Sequence, residues 1–145
     1  MNSKLRIKLD ENAFPLSKAY PTDAGYDIKT PISFSIDPKS SYTVNTGVHV
    51  QLPHEYAGLI VSKSGLNIKH NITSTGLIDE GYTGPLIIKL YNNGDTIYNF
   101  NRGDKITQLV LIKTTYLDIE IDNFNENESE NSSKRGDNGF GSSGK

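Results

Sequence analysis

Apolar residues in this chain recur mostly at every second position. Leu5, Ile7 and Leu9 alternate with Arg6 and Lys8, and Ile32, Phe34 and Ile36 alternate with serines. That is the period of a strand with one face turned inward. Tyr42, Val44, Val48 and Val50 continue the pattern, with a bulge expected at Gly47 where the alternation breaks. Further strands are predicted at 25–28, 56–62, 86–91, 96–100 and 106–113, and a last one around Leu117, Ile119 and Ile121. Between them stand turn signals: a polar loop with two prolines over 11–23, then Asp37-Pro38-Lys39-Ser40 and Pro53-His54-Glu55. Only Ser64-Gly65-Leu66-Asn67-Ile68-Lys69-His70 reads as helix, and a turn or two is too short to stand without tertiary support. Many short strands at close spacing predict an all-β jelly-roll-like sandwich or barrel with at most one very short helix.

The most informative stretch is Gly76-Leu77-Ile78-Asp79-Glu80-Gly81-Tyr82-Thr83-Gly84. A short apolar strand runs into Asp79, Glu80-Gly81 turns the chain, and Thr83-Gly84-Pro85 leads into the next strand. The expectation is a hairpin holding one carboxylate and one aromatic ring at the lip of a sheet.

Composition changes at Asp122. Residues 122–134 are acidic, polar and almost without core formers, as in a flexible linker. Residues 135–145 follow as a glycine-rich tail with one arginine and one phenylalanine. The expected division is a β domain over 1–121, the linker, and a C-terminal lid. Glycines let a backbone wrap closely, Phe140 offers a stacking face, and Arg135 with the serines offers phosphate donors.

Charge and residue usage narrow the chemistry. The net charge is −2 and the pI about 5.9, so general binding to nucleic acid or to an anionic membrane is not expected. The chain has no cysteine, hence no disulfide, thiolate nucleophile or thiolate metal site. His49, His54 and His70 show no metal-ligand spacing such as H-E-x-x-H. The N-terminal residues lack the apolar core of a signal peptide, and no apolar run approaches membrane-spanning length. A soluble cytoplasmic protein is expected, in the host cytoplasm or nucleus if the chain is viral. What remains is attack by water, activated by a carboxylate and assisted by Mg²⁺ held largely by phosphates. Two segments offer phosphate contacts besides the tail: Ser62-Lys63-Ser64-Gly65-Leu66 at the mouth of the helix, and Gln108 in the strand after Gly103-Asp104-Lys105. Ser-Gly is also a common simple turn, and Gln108 also suits an edge position facing water.

Five segments in order resemble the motifs of the trimeric dUTP pyrophosphatases (dUTPases). They are Ala24-Gly25-Tyr26-Asp27-Ile28, Ser62-Lys63-Ser64-Gly65-Leu66, the Gly76 to Gly84 stretch, Gly103-Asp104-Lys105-Ile106-Thr107-Gln108-Leu109-Val110, and Arg135-Gly136-Asp137-Asn138-Gly139-Phe140-Gly141-Ser142-Ser143-Gly144. The resemblance implies a homotrimer with active sites between subunits, each closed by a C-terminal arm exchanged from a third chain. It implies hydrolysis of dUTP to dUMP and pyrophosphate, which keeps uracil out of DNA and supplies dUMP for thymidylate synthesis. Asp79 would be the base that activates the water attacking the α-phosphorus. Tyr82 would pack beneath the deoxyribose and exclude a 2′-hydroxyl. The backbone of Gly76, Leu77 and Ile78 would bind uracil. Lys63, Ser64, Gly65 and Gln108 would contact phosphates. Asp27 would reach Mg²⁺ through water. Phe140 would stack on uracil, with Gly141 beside it, and Arg135, Ser142 and Ser143 would take the γ-phosphate. Two departures stand out: the second motif usually carries Arg where this chain has Lys63, and bacterial members place an Asn near the position of Thr73 or Asn71. The alternatives are a dCTP deaminase of the same fold, or a nucleotide-sensing regulator with a protein partner on the same scaffold.

Overall fold

The computed structural model describes residues 4–125. Two compact units divide at Thr115. In the first, nine strands and one helix follow the order β1 (Arg6–Leu9), β2 (Gly25–Lys29), β3 (Phe34–Ile36), β4 (Ser40–Gln51), β5 (Tyr56–Val61), α1 (Ser64–His70), β6 (Ile72–Ile78), β7 (Pro85–Asn92), β8 (Tyr98–Phe100) and β9 (Lys105–Lys113). Seven strands form one sheet in the order β1-β4-β7-β6-β5-β9-β2, and β3 pairs β8 separately. The all-β class with a single short helix is borne out. In the second unit, residues 116–125 carry no helix or strand. The strand expected around Leu117, Ile119 and Ile121 is therefore not formed, and all three side chains are exposed.

The alternation read from the sequence is visible as burial. In β7, Leu86, Ile88 and Leu90 are buried while Ile87, Lys89 and Tyr91 face out. Val44, Val48 and Val50 of β4, Ile60 of β5 and Ile106 and Leu109 of β9 complete the same core. Burying each such side chain contributes about 1.5–3 kcal/mol. The two sheets meet at Phe34, whose ring stacks on Tyr42 at 4.4 Å and on Phe100 at 5.0 Å. Asn92, 2% exposed, ties them by donating from Nδ2 to the Ile36 and Thr96 carbonyls at 2.9 and 2.8 Å. The bulge expected at Gly47 is present: the β4–β7 register shifts between Asn45 and His49, and Gly47 has φ of 68°. β1 forms as expected, but Ile7 and Leu9 are exposed rather than half-buried, because this edge strand pairs only with β4.

The β6–β7 connection departs from a tight hairpin, and the departure makes the site. β6 pairs β7 only through Ile72, Thr73 and Ser74, at the ends far from the turn. From Thr75 to Ile78 it pairs β5 instead, and the start of β7 belongs to β4. The two arms splay, and Asp79–Gly84 bridges them as a loop.

Candidate active site

The splayed arms enclose a cavity of about 220 Å³ lined by Leu77, Ile78, Asp79, Tyr82 and Ile87. Leu77 and Tyr82 are exposed at its mouth, at 62% and 41%. Asp79 is exposed as well. Its carbonyl accepts the Tyr82 N–H at 3.2 Å, which closes the turn. Gly81 sits at φ 93°, a backbone region that side-chain-bearing residues avoid. The Tyr82 hydroxyl donates to the Pro85 carbonyl at 2.7 Å. The ring lies on Gly84, where a Cβ would fall 2.7 Å from its Cζ. Gly84 therefore has to be glycine for the ring to lie there. Gly76, Leu77 and Ile78 pair with β5 along one edge, and among the described residues no strand covers the other edge. Among the described residues, the main-chain donors and acceptors on that side are therefore left available to a ligand.

A second cavity, about 290 Å³, gathers the phosphate candidates. Asp23, Ala24, Gly25, Asp27, Lys63, Ser64, Gly65 and Gln108 line it. β2 brings Asp27 opposite Gln108 on β9, and β9 brings Gln108 opposite Val61 at the end of β5. Lys63 precedes α1, whose first helical bond runs from the Asn67 N–H to the Lys63 carbonyl. The N–H groups of Ser64, Gly65 and Leu66 thus lie ahead of the helical ladder. A Cβ on Gly65 would meet no atom within 4 Å, so the backbone there is open to a ligand. At Gly25 a Cβ would overlap the Gln108 Oε1, so a larger residue there would turn the Gln108 side chain aside. In this structure the Gln108 amide donates to the Ser62 carbonyl at 3.0 Å.

At the back of this cavity lies a three-member charge cluster. Asp27, only 4% exposed, takes the Lys63 ammonium on Oδ1 at 2.5 Å and the Lys105 ammonium on Oδ2 at 3.1 Å. Burial alone would raise the Asp27 pKa; hydrogen bonds and charges from both lysines outweigh it and hold the carboxyl below its ordinary value. Sequence reasoning gave Lys105 no role. The signal was available in Gly103-Asp104-Lys105, a cation at the first position of β9, but nothing in the sequence says that it meets Asp27.

The described residues thus bring the predicted groups together in two sets. Asp27, Lys63, Ser64, Gly65 and Gln108 share one cavity, and Leu77, Ile78, Asp79 and Tyr82 share another. The two linings have no residue in common. Asn71 closes α1 in a left-handed conformation, and Thr73 accepts the Asn93 amide at 3.0 Å; neither lines the Asp79 cavity. Arg135, Phe140, Gly141, Ser142 and Ser143 lie outside the described residues.

The class so defined is a jelly-roll-like β domain with an exposed turn carboxylate in one cavity and a lysine-lined polar pocket in another, chemistry suited to an anionic ligand. Comparison with known proteins makes it particular. The dUTPase family model matches residues 11–144. The deoxyuridine 5′-triphosphate nucleotidohydrolase of vaccinia virus (strain Copenhagen) is 34% identical over 145 residues, covering 99% of this chain and 95% of its own. The enzyme of that name from Mus musculus is 32% identical over 140 residues, covering 96% and 83%. Among solved structures, a Staphylococcus bacteriophage 80alpha dUTPase variant with dUpNHpp superposes with a TM-score of 0.89 at 29% identity, covering 99% of this chain and all of that one (100%). A variant of the dUTPase from S. aureus phage phi11, described as revealing the coordination of a structural Mg(II) ion, gives 0.79 at 30% identity, covering 86% and 99%. The chain belongs to the dUTPase family.

Proposed function

We propose that this chain hydrolyses dUTP to dUMP and pyrophosphate in sites completed between subunits of a homotrimer. The observation that carries the reading is the splayed β6–β7 connection, which sets Asp79, Tyr82 and an uncovered strand edge around one cavity. Uracil pairs with the free main-chain edge of Gly76 to Ile78. A site built for those polar edges leaves them unpaired with cytosine and so rejects it. Tyr82 packs under the deoxyribose and leaves no room for a 2′-hydroxyl. Asp79 takes a proton from the water that attacks the α-phosphorus; the bond to the bridging oxygen breaks, and pyrophosphate leaves.

Division of the predicted groups between two cavities supports assembly from more than one chain. Neither cavity holds base, sugar gate and phosphate ligands together, whereas cyclic symmetry sets one cavity of each kind against a neighbour's. Lys63, Ser64, Gly65 and Gln108 then grip the phosphates. Residues 135–145 of a third chain supply Phe140 over uracil, flanked by Gly141, and Arg135, Ser142 and Ser143 at the γ-phosphate.

The donor set also speaks to the metal. No group of three His, Cys, Asp or Glu able to hold an ion occurs among the described residues. Asp27 is lodged between two lysines. This suits Mg²⁺ carried in mainly by the triphosphate, with Asp27 touching it through water, and does not suit a protein-built cage. When bound, Mg²⁺ neutralises charge on the phosphate oxygens. Lys63 transfers from Asp27 to a phosphate as the substrate enters.

The test is pyrophosphate release from dUTP, dTTP, dCTP and UTP, with ammonia release from dCTP as a control for deamination. The intact chain should act on dUTP alone. Asp79→Asn should fold and assemble yet lose nearly all turnover, because an amide accepts no proton. A chain ending at Ser133 should lose most activity. Full activity in Asp79→Asn would remove that carboxylate from the mechanism.

A further inference from the structure

The loop that carries Asp79 and Tyr82 is gripped from behind by a side chain for which the proposed chemistry has no use. His49 lies on β4, opposite Lys8 of β1 and Pro85 of β7. Its Nδ1 is 2.7 Å from the Thr83 carbonyl oxygen, and its Nε2 is 3.0 Å from each carboxylate oxygen of Asp10. The His49 side chain is only 15% exposed. A carbonyl can only accept, and so can an ionised carboxylate. Both contacts are satisfied together when the ring is protonated and each nitrogen donates.

Asp10 is itself fixed. Its N–H donates to the Gly47 carbonyl at 2.8 Å, and its own carbonyl accepts from the Ala13 N–H at 3.1 Å. Gly47 is the bulge residue, and a Cβ there would sit 3.0 Å from the Ala13 Cβ. The bulge thus brings three things into register: the loop after β1, His49, and the start of β7.

Three successive parts of the active-site loop are then tied down. The Tyr82 N–H is bound to the Asp79 carbonyl, the Thr83 carbonyl to His49, and the Tyr82 hydroxyl to the Pro85 carbonyl. Of these three, the middle tie comes from outside the loop and its strand; on the Asp79 side a second external anchor is Glu80, whose carboxylate accepts the Glu55 N–H at 2.7 Å and lies 3.1 Å from His54 Nδ1. The His49 tie holds the Thr83 peptide against β4 and keeps that arm away from β6.

We propose that His49, braced by Asp10, is a positioning residue for sugar discrimination: by holding the Thr83 carbonyl it fixes the Thr83–Gly84 peptide under Tyr82, and with it the tilt of the ring that excludes a 2′-hydroxyl. This rests on the reading of Tyr82 given above. His49 touches no substrate; it acts through Tyr82. A ring free to tilt admits the extra oxygen, so the loss should appear in UTP turnover more than in dUTP turnover.

The electrostatics agree. The Thr83 carbonyl and then Asp10 raise the His49 pKa above its ordinary value, while burial and Lys8 work against them. Lys8 on β1 and Asp10 in the loop after it are the charged groups facing the ring. Arg6 lines the same groove, and among the described residues β7 sets Pro85, and the loop Thr83, beside the ring. A raised value means that both bonds are present below about pH 6.5, the ordinary histidine value; as pH rises through the higher folded value the ring keeps one proton, the Asp10 carboxylate draws it to Nε2, and the Thr83 bond is lost. The dUTP-to-UTP preference should therefore fall on the alkaline side. Titration of a general base changes both substrates alike and leaves their ratio untouched.

The experiment compares kcat/KM for dUTP and UTP in the full-length protein, in His49→Ala, His49→Gln and Asp10→Asn, and in Tyr82→Ala with and without His49→Ala. We expect His49→Ala to lower the preference roughly tenfold, the worth of one charge-assisted hydrogen bond. Most of that change should come from a rise for UTP. Gln, which keeps one donor for Thr83, should recover part of it and abolish its pH dependence. Adding His49→Ala to Tyr82→Ala should change nothing further. If Tyr82→Ala destroys the preference and both folded His49 variants retain it at every pH, the positioning role is wrong and the Tyr82 reading stands. If Tyr82→Ala itself retains the preference, the sugar reading fails and this inference fails with it. Should His49→Ala not fold, His49→Gln and the pH profile decide in the same way.

Discussion

Replacing Asp27 by Asn keeps the shape of the side chain and removes its charge, which isolates what the Lys63–Asp27–Lys105 cluster contributes. A buried pair broken from one side costs about 3–5 kcal/mol, because the remaining charge is stranded. Here the stranded partners have an escape: the Lys63 and Lys105 side chains are 28% and 44% exposed, against 6% for Asp27. Both ammonium groups can turn to water, so the cost falls towards the worth of the lost charge-assisted bonds, about 2–3 kcal/mol at neutral pH. Urea unfolding at fixed protomer concentration measures it. The pH dependence is the sharper readout. The folded Asp27 pKa is depressed, so its contribution is whole above the ordinary aspartate value of about 3.9 and drains away as pH falls through the folded value. The gap between wild type and Asp27→Asn should therefore be constant from pH 7 to about 5 and close below about 4. Lys63→Met and Lys105→Met should each cost less than Asp27→Asn, since one lysine still answers the carboxylate. The double variant strands a buried carboxylate and should cost more than the two singles together. A variant Asp27→Asn within about 0.5 kcal/mol of wild type at pH 7, the ordinary range for surface substitutions, would refute the reasoning. So would a gap that does not close in acid.

Three further outcomes follow from the same geometry. Gly84→Ala places a Cβ 2.7 Å from the Tyr82 Cζ and must displace the ring; turnover of dUTP should drop and UTP discrimination should weaken, read as the ratio of their kcat/KM values. Leu90→Ala empties a fully buried position at the β4–β7 pairing and should cost about 2–5 kcal/mol of unfolding free energy, measured by urea titration, with KM little changed in the folded fraction. Lys63→Arg should preserve or improve dUTP efficiency, because a guanidinium adds a bidentate grip on phosphate; a marked loss in steady-state kinetics would show that the compact ammonium of Lys63 is required.

Local pattern carried the strands and topology carried the site, for a physical reason. Alternation fixes which face of a strand is buried, so β7 was legible from Leu86, Ile88 and Leu90 alone, and the break at Gly47 marked the bulge. What alternation cannot report is which strand lies beside which. β6 takes β7 as its neighbour at Ser74 and β5 at Thr75, and nothing in Ile72–Ile78 announces the exchange, although that exchange opens the cavity at Asp79. The same limit hid Lys105 and His49. Each is an unremarkable polar residue in its own strand and acquires a role only because sheet pairing sets Asp27 within reach of one and Thr83 within reach of the other. The failures at β1 and at Leu117, Ile119 and Ile121 have the opposite origin: there the alternation is present and its apolar side is exposed. Period-two patterning says that a face needs cover, not that the same chain supplies it. Ile7 and Leu9 on the edge strand, and Leu117, Ile119 and Ile121 beyond Thr115, are apolar faces that this chain's described residues leave uncovered.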